Sequence, residues 1–160
     1  MFIRALFAFL ALPCVVAGLI PVLIARGDTN RHGGSVIGFV FLALGVVLLL
    51  WCVRDFYVSG KGTLAPWDPP KRLVVVGLYR VVRNPMYVAV LTVVLGWTLV
   101  FGSLWLAFYM VTLAMAFHLR VLFYEEPRLR QLFGPEWTAY STAVPRWLPR
   151  LGPGNNGSRT

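Results

Sequence analysis

The sequence predicts an all-α integral membrane bundle of four transmembrane helices, with a cytosolic loop and C-terminal interfacial helices. Of the 160 residues, 58% are hydrophobic and 13% charged, against about a quarter charged in an ordinary soluble domain. Mean hydropathy is +0.72. Four apolar runs, about 5–25, 35–53, 85–100 and 104–123, each approach the ~20 residues that cross a bilayer core. The basic residues, in excess to a net charge of +9, crowd into only some of the segments between these runs. The length suits one domain, read as residues 1–151 followed by a disordered tail at 152–160.

The first run, Ala5 to Ala25, competes with a signal peptide because Arg4 precedes it, but its apolar stretch is too long and contains Pro13 and Pro21. These prolines should kink or loosen the helix, and neighbouring helices in a bundle can satisfy the carbonyls they release. Arg26 to Gly34 is a short polar link. His32 within it reads as a solvated loop residue, with no second His, Cys or acid at metal-site spacing. Ser35 to Val53 is the second span, and Gly34 and Gly38 give one GxxxG spacing that permits close helix approach. Cys14 and Cys52 lie in different spans at depths that differ by roughly 12 Å, at ~1.5 Å rise per residue, too far for a disulfide. Both read as small apolar packing residues.

Arg54 to Arg83 is the longest non-apolar segment. Gly60, Gly62, Pro66, Pro69 and Pro70 argue against a continuous helix, and Trp67 suits the lipid interface. The aromatic and apolar content of the segment argues for an ordered loop. Asn84 then suits a helix cap through its side-chain oxygen, with Pro85 at the first helical position. The third span, Pro85 to Val100, and the fourth, Leu104 to Phe123, form a hairpin about a tight turn at Gly102-Ser103, which Glu125-Glu126-Pro127 ends. Leu129, Leu132 and Phe133 recur at i, i+3 and i+4, the pattern of a helix lying in the interface. Gly134-Pro135 breaks it, and Pro135 to Val144 forms another short helix. Trp137, Tyr140 and Trp147 are expected to anchor this region at headgroup level.

Charge placement orients the bundle. Arg4 precedes the first span, and Arg26 and Arg31 separate the first two. Arg54, Lys61, Lys71, Arg72, Arg80 and Arg83 lie between the second and third, none between the third and fourth, and the rest from Arg120 onward. Four spans put both heavily basic segments on one side, which the positive-inside rule makes cytosolic, together with both termini. Topology and anionic headgroups thus account for the positive charge, so membrane lipids are expected partners and nucleic acid is not.

Two polar clusters meet on that face. The first is Gly77 to Tyr87, where a helix start exposes backbone N–H groups and its positive dipole end beside arginines and tyrosines, a seat for an anionic group. A well-capped membrane helix with a positive flank is the simpler reading of the same residues. The second is His118, Arg120, Glu125 and Glu126, at the inner end of the fourth span. His118 and Glu125, seven apart, share a face of a continuous helix. Adjacent glutamates at a helix C-terminus oppose the dipole, so arginines or a ligand diol should compensate them. No nucleophile-elbow, phosphate-loop, zinc or dinucleotide motif is present, and no metal ligand set is assigned.

In order along the chain, Gly77-Leu78-Tyr79, Arg83-Asn84-Pro85-Met86-Tyr87, a two-helix hairpin, Glu125-Glu126, Leu129, Phe133-Gly134, Tyr140, Val144-Pro145-Arg146 and Pro149 resemble the isoprenylcysteine carboxyl methyltransferase and phospholipid methyltransferase superfamily. The resemblance covers roughly Lys71 to Leu151. The Ala65-Pro66-Trp67-Asp68-Pro69-Pro70 lead-in and the Asn-Pro variant look like a bacterial branch. The resemblance implies an S-adenosyl-L-methionine-dependent methyltransferase of the bacterial inner (plasma) membrane, with a cytosolic active site. Its acceptor would be a lipophilic, membrane-resident small molecule or lipid, either a carboxylate such as a prenylcysteine-like acid or a lipid amine.

By motif, Tyr79, Asn84, Pro85, Met86, Tyr87 and Glu125 match the family's cofactor-contact positions, and Lys71, Arg72, Leu73 and Val74 align with another such stretch. The isoprenylcysteine enzymes carry His where this chain has Asn84, which hydrogen-bonds but does not titrate near neutral pH. They also carry a substrate-contact Arg four residues before the first Glu. Here that position is Val121, with Arg120 adjacent on a different helix face. Arg83, Arg120 and Glu126 are the candidates for a catalytic role. The rival reading is a non-catalytic four-span membrane scaffold or small transporter. All six acids lie outside the apolar runs, which counts against proton-coupled transport.

Overall fold

The computed structural model describes residues 13–29, 31–60 and 73–149, with 56–60 given by their backbone. Residues 5–12 of the first apolar run, the 61–72 part of the loop with Trp67, and the tail at 152–160 lie outside the described residues. Among those described, every regular element is helical.

Helix α1 is Val15–Gly27, and its first part, Val15–Leu19, is wound as a π-helix. Pro21 explains the arrangement. It has no N–H, so it frees the carbonyl four residues back and, in π register, the one five back. Those carbonyls belong to Ala17 and Val16, and both find donors on other helices. Trp97 Nε1 donates to the Ala17 carbonyl at 2.9 Å and the Tyr109 hydroxyl to the Val16 carbonyl at 2.8 Å. The neighbouring helices thus satisfy what the proline released.

Helix α2, Ile37–Gly60, runs past the end of its apolar stretch. The expected loop therefore does not begin at Arg54. No residue from Arg54 to Ser59 breaks a helix, and the first that does is Gly60. Helix α3, Pro85–Phe101, lies antiparallel to α2 with the two backbones in contact. A Cβ on Gly38 would stand 2.6 Å from the Val100 nitrogen and 2.7 Å from the Gly96 carbonyl oxygen, and one on Gly45 would stand 2.7 Å from the Val93 nitrogen. One on Gly96 would meet the Leu42 nitrogen at 2.6 Å. The Gly34–Gly38 spacing is thus one end of a longer glycine seam, of the kind that lets helices associate where lipid removes the hydrophobic drive.

Gly102, left-handed at φ 57, ends α3 and starts the turn into α4, Leu104–Arg120. The Ser103 hydroxyl accepts from Leu106 N–H at 3.4 Å and donates to buried Asp28 at 2.5 Å, which pins the hairpin to the end of α1. Ala17, Val90, Val93 and Val94 centre a core that Leu42, Leu49, Tyr109 and Met110 complete. On α4, Leu104, Phe108, Val111, Met115 and Leu119 form an exposed stripe at helical spacing, an apolar face with no protein cover. Ile37–Asp55 of α2 and the helix beginning at Leu104 are each long and apolar enough to cross a membrane, and α1 and α3 are shorter apolar helices.

The fourth apolar helix does not end at Glu125-Glu126-Pro127. It passes through a π turn, Val121–Glu125, into α5, Glu126–Ala143. Pro127 follows this turn, and the carbonyls that its missing N–H would have met, four and five residues back, lie within the π segment. Glu126 consequently lies inside a continuous helical run, just past the π turn, rather than at a helix end. The expected break at Gly134-Pro135 takes the form of a kink within α5. Residues 144–149 then return across the bundle end as an irregular strap.

Candidate active site

A short 3-10 turn, Gly77–Arg80, leads to the start of α3. Asn84 holds the N-cap position with Pro85 next, but its side chain does not cap the helix. The strap lies over this turn, with Arg83 N–H donating to the Pro145 carbonyl at 2.9 Å. Asn84 Nδ2 donates to the Arg146 carbonyl at 3.2 Å, which draws the amide away from the helix. The first-turn N–H groups of α3 therefore have no side-chain cap.

The hairpin folds the acidic pair back onto this helix start. Glu125 Oε1 accepts from the Tyr87 hydroxyl and from Arg120 Nε, the latter at 2.8 Å. Among the described residues no donor reaches Oε2. Arg120 lies on a different helix face from Val121, and a π turn aligns residues five apart, so Arg120 meets Glu125 while Val121 is buried at 1% exposure. The same extra residue removes the expected alignment of His118 with Glu125. His118 Nδ1 instead accepts from Trp147 Nε1 at 3.2 Å.

Glu126 is enclosed by cations. Arg83 Nη1 donates to Oε1 at 2.8 Å, Arg146 Nε to Oε1 at 2.7 Å, and Arg146 Nη2 to Oε2 at 2.8 Å. The Arg83 and Glu126 side chains are only 14% and 18% exposed, so this pair is screened far less than a surface bridge. The Glu126 bond holds the Arg146 guanidinium in its charged form, above the ordinary arginine value. Arginines thus compensate both glutamates. With both oxygens engaged, Glu126 joins turn, helix and strap and has little freedom to act as a base.

Aromatic rings close the centre. Tyr87 stacks on Phe117 at 4.3 Å between centroids, and Trp147 lies 6.4 Å from Tyr87 and 6.0 Å from His118. Trp137 and Tyr140, expected at headgroup level, are buried instead. The α5 kink turns them back against the Gly77–Arg80 turn, where they join Leu73, Leu129, Phe133 and Val144. The Tyr140 hydroxyl donates to the Tyr79 carbonyl at 2.7 Å, and Arg83 lies over the Trp137 ring at 5.9 Å. Burial pushes the Tyr140 phenol up to about 12 and the Tyr79 phenol well above its usual range.

Of the candidate residues, Arg83, Asn84, Tyr87, Arg120, Glu125 and Glu126 converge at the start of α3. Val74, Tyr79 and Met86 pack with Cys52 into the wall behind them, and Leu73 joins the Trp137 cluster. Pro85 is buried as the first residue of α3. Lys71 and Arg72 lie outside the described residues. Sequence reasoning missed Arg146, Phe117 and Trp147 as parts of this centre. Arg146 stood within the Val-Pro-Arg motif, but Phe117 carries no signal that separates it from any other span residue.

Fold and site together define a helical protein with an apolar body and a charged, aromatic centre at one end. The family model of phospholipid methyltransferases matches residues 34–136, and the chain belongs to that family. It is therefore a membrane protein of a methyltransferase family, and membership brings with it a methyl donor. The match takes in the glycine seam, the turn, the hairpin and the acidic pair, and leaves out α1 and the strap. Comparison with curated proteins and with solved structures returned no match.

Proposed function

We propose that this protein transfers a methyl group from S-adenosyl-L-methionine to a lipophilic, membrane-resident acceptor, with the donor held between the start of α3 and Glu125. One observation carries the reading. Glu125 is fastened through Oε1 by Tyr87 and Arg120, which leaves Oε2 to receive a ligand hydroxyl. The surrounding groups suit the remainder of the donor. The uncapped N–H groups at Met86 and Tyr87 match its carboxylate. The Tyr87, Phe117 and Trp147 faces match a cation, and Glu125 matches the ribose diol as acids do in dinucleotide sites.

When bound, the donor supplies an electrophilic methyl group on a sulfonium. The work of the chain is to bind, orient and exclude water. Methyl transfer asks mainly for in-line approach, so positioning supplies most of the rate. Arg83, Glu126 and Arg146 act as positioning residues that keep turn, helix and strap in register. Arg120, 43% exposed at its side chain, stands where it can meet the acceptor. The acceptor is a carboxylate or a lipid amine. For an anionic acceptor the step neutralises charge, and a dry site favours it.

The same reading makes α1 to α4 four spans of the bacterial inner membrane, with both termini and the site cytosolic. The 17 residues of α3 cross with little tilt, and the arginines before it lie on the inner side. Calorimetric titration of S-adenosyl-L-methionine into detergent-purified protein tests the site. Tyr87→Ala and Glu125→Ala should each abolish measurable binding, and unchanged affinity in both would remove the donor from this location. A labelled-methyl screen against membrane extracts identifies the acceptor.

A further inference from the structure

The kink in α5 builds a concavity that the donor reading does not use. Gly134 adopts φ 48 and ψ −118 inside a helix, yet nothing lies within 4 Å of where a Cβ would stand. Backbone conformation, not lack of space, requires glycine there. The bend turns Glu126 and Arg130 from one half of α5, and Trp137 and Ser141 from the other, toward a single cleft of about 410 Å³. Arg83 and Arg146 close its far side. The volume is within the range of small-ligand sites.

Charge in the cleft is unbalanced. Three guanidinium groups line it against the single carboxylate of Glu126. Both oxygens of that carboxylate are already committed to Arg83 and Arg146. Arg146 uses Nε and Nη2 on Glu126, which leaves Nη1 for another acceptor. Arg130 is exposed and makes no hydrogen bond or ion pair among the described residues. A donor-rich, net-positive cleft with one unengaged guanidinium and a second half-engaged suits a compact anion with several acceptor oxygens.

The geometry points to a phosphate-binding cleft beside the donor site, in which Arg130 and Arg146 receive the oxygens of a phosphate group. That phosphate belongs either to a lipid headgroup or to a soluble molecule, and the two sources are separable. The test is calorimetry on the full chain in uncharged detergent, with inorganic phosphate in one arm and micellar phosphatidic acid in the other. Binding in the first arm supports the cleft with a soluble source, and binding in the second alone supports it with a headgroup source. Arg130→Gln, and independently Gln131→Glu, should weaken binding at least about tenfold, with S-adenosyl-L-methionine affinity within about twofold of the parent. No binding in either arm, or binding that both variants leave unchanged, overturns the proposal. Competition between phosphate and S-adenosyl-L-methionine also overturns it, because the cleft would then be part of the donor site. Phosphate binding without donor binding would leave the cleft standing and sink the methyl-transfer reading instead.

Discussion

Arg120 and Glu125 are five residues apart, and their side chains meet with Nε 2.8 Å from Oε1. An α-helix presents neighbours at three and four residues; the π turn Val121–Glu125 presents them at five. A single change of local winding therefore decides which basic residue serves the acid.

Because Tyr87 and Arg120 share one oxygen of Glu125, the three residues should act as a unit in donor binding. Tyr87→Phe and Glu125→Gln should each weaken S-adenosyl-L-methionine binding about tenfold, the scale of a hydrogen bond to a charged group. The double variant should lose little more than the worse single variant. Additive losses by calorimetry would show that the two residues contact the donor independently.

The glycine seam predicts a steep dependence on one methyl group. Gly38→Ala and Gly96→Ala drive a Cβ against the opposing backbone at 2.6 Å, and should destabilise by about 1–3 kcal/mol as the helices part. Gly18→Ala has nothing within 4 Å to meet, and should leave the melting temperature in detergent level or slightly raised. Equal behaviour of Gly38→Ala and Gly18→Ala would contradict backbone contact between α2 and α3.

Pro21 and Trp97 should be energetically coupled through the Ala17 carbonyl. Trp97→Phe orphans that oxygen, at about 1 kcal/mol on the scale of hydrogen bonds within membranes. Pro21→Ala restores an N–H that can take the same carbonyl, so Trp97→Phe should cost measurably less in that background. Thermal melts of the four-member cycle read the coupling, and a zero interaction energy would refute the link.

Alkaline pH should unfold the C-terminal cluster. Burial raises Tyr140 from 10.0 to about 12, and Tyr79 rises too. The folded chain holds these protons more tightly than the unfolded chain. The stability they contribute is therefore complete below pH 10 and is lost as pH rises through about 12. Tyr140→Phe should start about 1 kcal/mol less stable, lacking the bond to the Tyr79 carbonyl, yet fall less steeply across that window. A steeper fall than in the parent would assign the alkaline transition elsewhere.

Much of this was legible from the chain alone because it depends on local or additive properties. Apolar runs mark the helices whatever their neighbours, and Gly102-Ser103, Pro85 and Gly134-Pro135 act on their own turns. The order of Arg83-Asn84-Pro85-Met86-Tyr87 and Glu125-Glu126 about a hairpin was enough to expect the acidic pair near the start of α3. Side-chain engagement was not legible. Asn84 has the composition of a cap, but only the strap, more than sixty residues away in sequence, decides that its amide turns aside. Trp137 and Tyr140 have the composition of interfacial anchors, but only the α5 kink decides that they are buried.

The sequence by itself determined that this is a helical membrane protein with its polar groups gathered at the turn before α3 and the end of α4, because periodicity, hydropathy and capping are written into neighbouring residues. Tertiary structure alone decided that Arg120 rather than any residue four back faces Glu125, that Arg83 and Arg146 enclose Glu126, and that α2 and α3 touch through glycine. Those outcomes depend on helical register and on contacts between distant segments. A shift of one residue in either reassigns every partner.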